Sequence, residues 1–407
     1  VSTDDVRRIL FLADAFPPVA GSAPESLAAT LKRMPSAGLT ISTPRRRGAG
    51  RIDGGLSGAV HRAVTLVGPT GFGLRLWKTQ IEWLAGRQRP SVVVACGLEP
   101  EALLAQELFR EKGIPFVLRF GIEDLLALRR EILAGGETGR RFQDVAEEAA
   151  AIVVPSRAAW LEAYKLRIRP HEVQEIPPGV DLESFRPGPP PQDLVKRLEL
   201  GQGPVVLSVS AQDPAADLES VLRAFAVVRA QHRRAVLLVR GFAAAEPGAL
   251  RDELRLERSV RFLGPSEGPL PDLYRAANLF LLAHAPGTGG DPVQGLEIPF
   301  LEAMATGLPV VATRTAATAE LVPDEEAGLL VEPRAHAKMG RAALEILRSR
   351  ELAEELSRRA REIAEQRHDV KRSAAALSEF LEVLLVRRLR RERPLQALAA
   401  AAAKPAV

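Results

Sequence analysis

A glutamine and a glutamate eight positions apart, Gln294 and Glu302, bracket a loop and the start of a helix in the stretch Gln294-Gly295-Leu296-Glu297-Ile298-Pro299-Phe300-Leu301-Glu302. Pro299 suits a first helical turn, where its missing N–H costs nothing, and Gly307 stands where a left-handed cap would close the same helix. The loop therefore points at the positive end of a helix, a place that favours an anion. Other polar residues follow strand-like apolar runs: Arg240 and Gly241 after the run at 235–239, His284 after 279–283, Arg314 after 310–313, and Arg119 after 114–118. Arginines at such positions can neutralise phosphate, and a histidine there can move a proton. Each also has a structural reading. A first-turn glutamate is favoured by the helix dipole whatever it binds, a strand-end histidine is commonly just hydrogen-bonded, and arginine is abundant in this chain.

These residues need elements to hold them, and the chain supplies two α/β halves around a proline-rich joint, Pro187-Gly188-Pro189-Pro190-Pro191. The first half opens on the continuous apolar run Arg8-Ile9-Leu10-Phe11-Leu12-Ala13, typical of a parallel strand buried on both faces. A loop, Phe16-Pro17-Pro18-Val19-Ala20-Gly21-Ser22, leads into a helix with Leu27, Leu31 and Met34 on one face. Strands are expected at 91–95, 114–118 and 151–154, then at 205–210, 235–239, 260–263 and 279–283 beyond the joint, with helices between them. Strands alternating with helices predict α/β domains with doubly wound parallel sheets. The expected divisions are a first domain at 1–187, a second at 192–366, a helix at 367–393, and an alanine-rich tail at 394–407. That helix carries Leu377, Phe380, Leu381, Leu384 and Leu385 as an apolar stripe, then Arg387, Arg388, Arg390, Arg391 and Arg393. Its basic end fits either a helix C-terminus or an anionic lipid surface.

With 407 residues, 46% of them apolar and 26% charged, the composition is that of a globular protein of two domains. The formal charge of +4 is small for such a length. Aromatic residues make up only 5% and do not alternate with basic ones, which argues against a nucleic-acid platform. Cys96 is the single cysteine, so neither an intrachain disulfide nor a thiolate metal cluster can form. Its place after Ser91-Val92-Val93-Val94-Ala95 suggests a strand-end thiol rather than a nucleophile. No apolar run approaches a membrane span. A cytoplasmic protein is expected, with peripheral contact at the inner membrane surface through the basic end of the last helix.

The stretch from Gln294 to Thr313 resembles the donor-site signature of family 4 glycosyltransferases, which pairs two glutamates eight positions apart and continues Ala-Met-Ala-x-Gly-x-Pro-Val-Val-Ala-Thr. Glu302 matches the second glutamate and Gln294 replaces the first. Pro17-Pro18-Val19-Ala20-Gly21-Ser22 is similar to the family's Pro-Pro-x-x-Gly-Gly loop. Ile176-Pro177-Pro178-Gly179-Val180-Asp181, running on to Phe185 and Pro187, is similar to the segment that closes the family's first domain. The resemblance extends over most of the chain. It implies a GT-B architecture, two Rossmann-like domains facing a cleft, with the last helix crossing back onto the first domain.

It implies also a nucleotide-diphosphate sugar as donor, transfer with retention and no metal or other cofactor. The acceptor would be a glycan or a lipid-linked one. Glu302, with Gln294, Gly295, Leu296, Gly21, Ser22 and Gly241, would then line the donor site, Glu302 holding the nucleotide ribose. Several positions depart from the family. Ala211 and Ala216 stand where its two phosphate-binding cations belong, Glu297 replaces a glycine, and Phe120 replaces a first-domain histidine. Arg240 and Arg314 are the candidate substitutes for the lost cations, and Gln294, Glu297 and His284 the candidates for catalysis. Two functions follow: a working glycosyltransferase, or a catalytically silent glycosyltransferase-like protein that has kept the fold to bind a partner or glycan.

Overall fold

The computed structural model describes residues 8–17, 22–35, 38–46, 58–63, 71–166, 173–210, 217–241, 247–264, 267–284 and 298–402. Two parallel sheets organise them. The first contains β1 (Ile9–Leu12), β2 (Leu39–Pro44), β3 (Ala59–Ala63), β4 (Val92–Ala95), β5 (Phe116–Arg119), β6 (Ala151–Val154) and β7 (Val173–Glu175), in the order β3-β2-β1-β4-β5-β6-β7. The second contains β8 (Val205–Val209), β9 (Val236–Arg240), β10 (Val260–Leu263), β11 (Leu279–Leu282), β12 (Val310–Thr313) and β13 (Gly328–Val331), in the order β10-β9-β8-β11-β12-β13. Both are Rossmann-type orders, reversing direction between β1 and β4 and again between β8 and β11. The register places Ile9 between Leu39 and Val92, and Leu207 between Leu238 and Phe280.

Around the first sheet lie α1 (Ser22–Arg33), α2 (Phe72–Gln88), a π turn (Leu98–Ala102) running into α3 (Leu103–Lys112), α4 (Ile122–Ala134), α5 (Gly136–Glu148) and α6 (Arg157–Lys165). Around the second lie α7 (Gln192–Arg197), α8 (Leu218–Gln231), α9 (Pro247–Glu253), α10 (Leu270–Ala276), α11 (Ile298–Thr306), α12 (Ala316–Leu321), α13 (His336–Arg348) and α14 (Arg350–Arg367). The last helix, α15, spans Val370–Ala402. Each sheet has an apolar cluster on either face. Strand residues such as Leu10 to Leu12, Val92 to Ala95 and Leu279 to Leu282 are buried because helices cover both sides, which explains their unbroken apolar runs.

The last helix does cross back. Leu377, Phe380, Leu381 and Leu385 of α15 pack with Leu27 and Leu31 of α1, and with Met34 just beyond it, over the first sheet. Each such buried side chain contributes roughly 1.5–3 kcal/mol. The crossing itself is stitched by backbone: Val180 N–H donates to His368 O (2.8 Å), and Val370 N–H donates to Val180 O (3.1 Å). Ser373 Oγ donates to Pro177 O at 2.7 Å. Gly179 is required there, since a Cβ on it would lie 2.3 Å from Val370 Cα. The glycine of the Pro-Pro-Gly-Val-Asp segment thus serves the chain crossing. Val180 belongs to the core of the second domain, with Leu182 and Phe185 packed against it.

Instead of stopping near residue 393, α15 continues through Pro394 into the alanine-rich stretch. Alanine has the highest helix propensity of any residue, and a run of it prolongs a helix already anchored upstream. Also unforeseen are β2, β3, β7 and β13, short strands, three of which form edges of a sheet. Strand β5 begins at Phe116, two residues after its expected start and just past Pro115.

Candidate active site

Ligands of doubly wound sheets bind beyond the carboxyl ends of the strands where the strand order reverses. In the second domain that place lies past β8 and β11, at Ser210 and His284. Here Arg240 ends β9, Gly241 follows it, and Glu302 sits in the first turns of α11. Helix α11 is short and apolar, and all of its residues are buried. Its C-terminus closes as expected: Gly307 adopts φ +70°, its N–H donates to Met304 O (3.0 Å), and Leu308 N–H donates to Ala303 O (2.9 Å). That pair of bonds is the Schellman motif, and it stops the helix where β12 must begin.

Glu302 is only 5% exposed. Its Oε2 lies 2.9 Å from the Tyr274 hydroxyl, which is also 3.1 Å from the Pro299 carbonyl. Desolvation raises the Glu302 carboxyl to about 8; the Tyr274 bond pulls it down, the nearby Glu25 charge pushes it up, and Arg240 pulls it down. A hydroxyl has one proton, so Tyr274 cannot donate fully to both acceptors. Glu302 Oε2 and Pro299 O therefore share that one proton. Tyr274 in turn is fixed by aromatic contacts with Phe185 and Phe280, their ring centres 5.8 and 5.7 Å away.

Arg240 links the domains electrically. Its Nη1 donates to Gly268 O, and its charge acts on both Glu302 and Glu25 of α1. Glu25 is raised as well, first by desolvation, with Arg240 opposing. A cation from the second domain therefore acts on a carboxyl of each domain. Gly241 has φ +80°, and a Cβ on it would lie 1.9 Å from Ser210 O, so a close backbone approach demands the glycine. His284 is buried against Phe300 at 6.1 Å between ring centres, and its N–H donates to Thr313 Oγ1 at 2.9 Å. Arg314 is engaged elsewhere, with Asp324 and with Glu332 at 3.7 Å. Gln294, Gly295, Leu296, Glu297, Gly21, Ala211 and Ala216 lie outside the described residues, and Ser22 begins α1.

The opposite wall carries charges that sequence reading missed. Glu101, 3% exposed, accepts from Asp14 N–H at 2.7 Å, and desolvation raises it to about 8. Asp14 pairs with Arg46 at 2.9 Å. Asp124 accepts from Gly121 N–H at 2.8 Å and is raised by desolvation. Desolvation pushes the Cys96 thiol up to about 12, leaving no thiolate at neutral pH. Phe120 is buried in the first domain's core, so that position performs no proton transfer. Glu320 proves to be a cap. Its two carboxylate oxygens accept from Arg157 N–H (2.8 Å) and Ala158 N–H (3.1 Å) at the start of α6 in the other domain, while Ser156 Oγ accepts from Ala159 N–H.

Residues 203–349 match the family model described as glycosyl transferases group 1. The match runs from β8 to α13, over the second sheet. It is 27% identical over 401 residues to a GDP-mannose-dependent alpha-(1-6)-phosphatidylinositol monomannoside mannosyltransferase of Mycobacterium tuberculosis, across 92% of this chain and 98% of that protein. It is 32% identical over 291 residues to a D-inositol 3-phosphate glycosyltransferase of Saccharomonospora viridis, across 66% of this chain and 64% of that one. Among solved structures, Anabaena HepE in complex with UDP and glucose superposes with a TM-score of 0.76 at 19% identity, over 92% of this chain and 99% of HepE. The lipopolysaccharide glycosyltransferase WaaG superposes with a TM-score of 0.65 at 15% identity, over 92% and 99%. The fold is that of the GT-B glycosyltransferases. Within the group 1 domain fall Arg240, Gly241, Tyr274, His284, Glu302 and Glu320. Among the described residues no helix is long and apolar enough to cross a membrane.

Proposed function

We propose that this chain transfers a sugar from a nucleoside-diphosphate sugar to a glycan or lipid-linked acceptor, with retention at the anomeric carbon and without a metal ion. In this reading Glu302 holds the nucleotide ribose, and Arg240 with the N-terminus of α11 balances the charge of the leaving diphosphate. One observation carries it most: Arg240 stands at the carboxyl ends of the second sheet, within electrostatic reach of Glu302 and of Glu25 across the cleft. Losing a preorganised charge-stabilising group typically costs about 2.7–4 kcal/mol of barrier, so a chain with alanines at 211 and 216 needs such a substitute. The two relatives' names supply the first compounds to try, GDP-mannose as donor and an inositol-bearing acceptor. The reaction would draw its donor from the cytoplasm and meet a lipid-linked acceptor at the inner membrane surface.

Ala211 and Ala216 favour a second reading, a silent glycosyltransferase fold that binds a partner or glycan without turnover. Calorimetric titration with GDP-mannose, UDP-glucose, GDP and UDP separates the two. The proposed reading expects heat with at least one nucleotide and weaker binding for Glu302→Ala. No heat from a well-folded sample with any of them sinks the donor site. Binding without transfer of labelled sugar to an inositol phospholipid or a glycan panel favours the silent reading.

A further inference from the structure

The strand order of the first sheet reverses between β1 and β4, and polar residues gather past the carboxyl ends of both strands. Past β1 comes Asp14; past β4 come Cys96, Gly97 and the π turn that carries Glu101. Glu101 is 3% exposed, and its Oε1 accepts from the Asp14 N–H at 2.7 Å. Gly97, at φ +139°, makes room for that carboxyl, since a Cβ on it would lie 3.1 Å from Glu101 Oε2. The Asp14 carboxyl turns to Arg46, just past β2, at 2.9 Å, and the two side chains are 27% and 31% exposed. Arg46 Nε has no partner among the described residues, so Asp14 does not saturate the guanidinium. Ala13 N–H donates to Ser42 O at 3.2 Å, and Arg62 of β3 donates to Pro17 O. The loop of residues 13–17 is thus fastened at its ends by β2 and β3, and at Asp14 by one buried side chain from across the switch point. A buried carboxyl is a costly way to satisfy a single N–H, which calls for a reason beyond stability.

We infer that Glu101 is a positioning residue for the acceptor: through the Asp14 N–H it sets the Asp14–Arg46 pair, which takes the acceptor's hydroxyl groups. This role rests on the glycosyltransferase reading, in which the acceptor meets the first domain's wall of the cleft. A carboxylate oxygen accepts from a hydroxyl and guanidinium N–H groups donate to one, so the pair suits neighbouring hydroxyls on a polyol ring. Such a contact discriminates sharply, because a compound lacking the hydroxyls leaves the half-buried pair unsatisfied. The groups facing Glu101 are Asp14 after β1, Cys96 after β4 and Asp124 in the first turn of α4, with Arg46 bonded to Asp14 and Arg119 of β5 bonded to Cys96. Desolvation above all, with pushes from the Asp14 and Asp124 charges, raises Glu101 to about 8 against the pull of the Asp14 and Glu101 N–H groups. At neutral pH it therefore keeps its proton and leaves Arg46 to one carboxylate.

The test compares initial rates of sugar transfer by the full chain, with whichever of GDP-mannose and UDP-glucose it binds as donor and an inositol phospholipid or a glycan panel as acceptor. Glu101→Ala should lower kcat/KM for the acceptor about tenfold, the worth of a buried hydrogen bond, while the donor KM and the calorimetric affinity for nucleotide stay as they were. Glu101→Gln, whose amide oxygen still accepts from the Asp14 N–H, should restore acceptor use at neutral pH. Adding Glu101→Ala to Asp14→Ala should cost nothing further, since Glu101 acts through Asp14. As pH rises through about 8, Glu101 gains a charge beside Asp14, and the acceptor KM of the unaltered chain should rise while that of Glu101→Gln stays level. Glu302 titrates in the same range but is common to both, and Cys96, raised to about 12, stays protonated. If thermal unfolding shows that Glu101→Ala does not fold, the pH comparison decides. Unchanged acceptor kcat/KM in Glu101→Ala, a loss shared equally by the donor, or identical pH profiles for the unaltered chain and Glu101→Gln overturn the inference and leave the glycosyltransferase reading standing. No transfer by the unaltered chain to any acceptor overturns that reading and this role with it.

Discussion

Replacing Glu302 by glutamine keeps the side chain's shape and removes its titration. In the folded chain the carboxyl is raised from 4.5 to about 8 by desolvation. Between those values the native state retains a proton that the unfolded chain has released, so stability falls as pH rises through the window. The slope is at most about 1.4 kcal/mol per pH unit, and the whole effect is on the order of a few kcal/mol. Below the lower value both states are protonated and the penalty is absent; above the upper value it is complete. Glutamine still accepts from the Tyr274 hydroxyl, through its amide oxygen, and carries no penalty at high pH. Glu101, also raised to about 8, titrates in the same direction but is present in both proteins. The difference between the two curves therefore isolates Glu302. Chemical denaturation from mildly acidic to mildly alkaline pH measures it. The unaltered chain should lose stability more steeply than Glu302→Gln, the two converging at the acid end. Parallel curves, or a variant that loses stability faster, would refute the picture of a carboxyl that burial keeps neutral in the fold.

Arg240→Met should weaken binding of a nucleoside diphosphate by about tenfold or more, the worth of a charged hydrogen bond, as read by calorimetry; unchanged affinity would remove Arg240 from the donor site. Gly241→Ala should cost several kcal/mol or prevent folding, because the new Cβ meets Ser210 O at 1.9 Å in a left-handed backbone; a denaturation midpoint near that of the unaltered chain would contradict the close approach. Glu320→Ala should cost about 1 kcal/mol, as helix-cap removals do, and should enlarge the radius of gyration in solution scattering by freeing α6 from the second domain. Tyr274→Phe should shift the pH window of Glu302 upward, since its one stabilising side-chain bond is gone; denaturation curves identical to those of the unaltered chain at all pH values would argue against the bond.

What the sequence revealed and what it hid divides along the separation of partners in the chain. Gly307, Pro299 and the unbroken runs at 9–12 and 279–282 are readable because their consequences are local: a cap, a first turn, a strand buried on both sides. Glu302 could be placed on its helix from sequence but its proton state could not, for that depends on Tyr274, 28 positions earlier, and on burial by surrounding elements. The role of Glu320 was hidden for the same reason. A glutamate near a helix start reads as serving its own helix, whereas this one serves a helix 162 positions away. The glycines show the converse. Gly241 stands in a motif position that suggests a ligand and Gly179 in one that closes a domain, yet the atoms that exclude a side chain belong to Ser210 and Val370. Short edge strands escaped because three to five residues carry little periodic signal.

The contacts between the two domains differ in kind from one side of the cleft to the other. At the crossing of residues 177–187 with 367–373 backbone bonds and apolar packing accompany the Lys371–Glu183 ion pair at 2.7 Å. Val180 bridges to Asp369, and Phe185 O accepts from Arg361 Nη1 at 2.9 Å. At the mouth they are charges: Glu320 on the start of α6, and Arg240 within reach of Glu25. Exposed polar contacts of this sort are worth on the order of 1 kcal/mol each, so solvent or an anionic ligand can replace them at little cost. The crossing has no comparable substitute in water. A nucleoside diphosphate entering at Arg240 would therefore compete with Glu25 for one cation. The same division explains why Glu320→Ala is expected to change the solution dimensions more than the global stability.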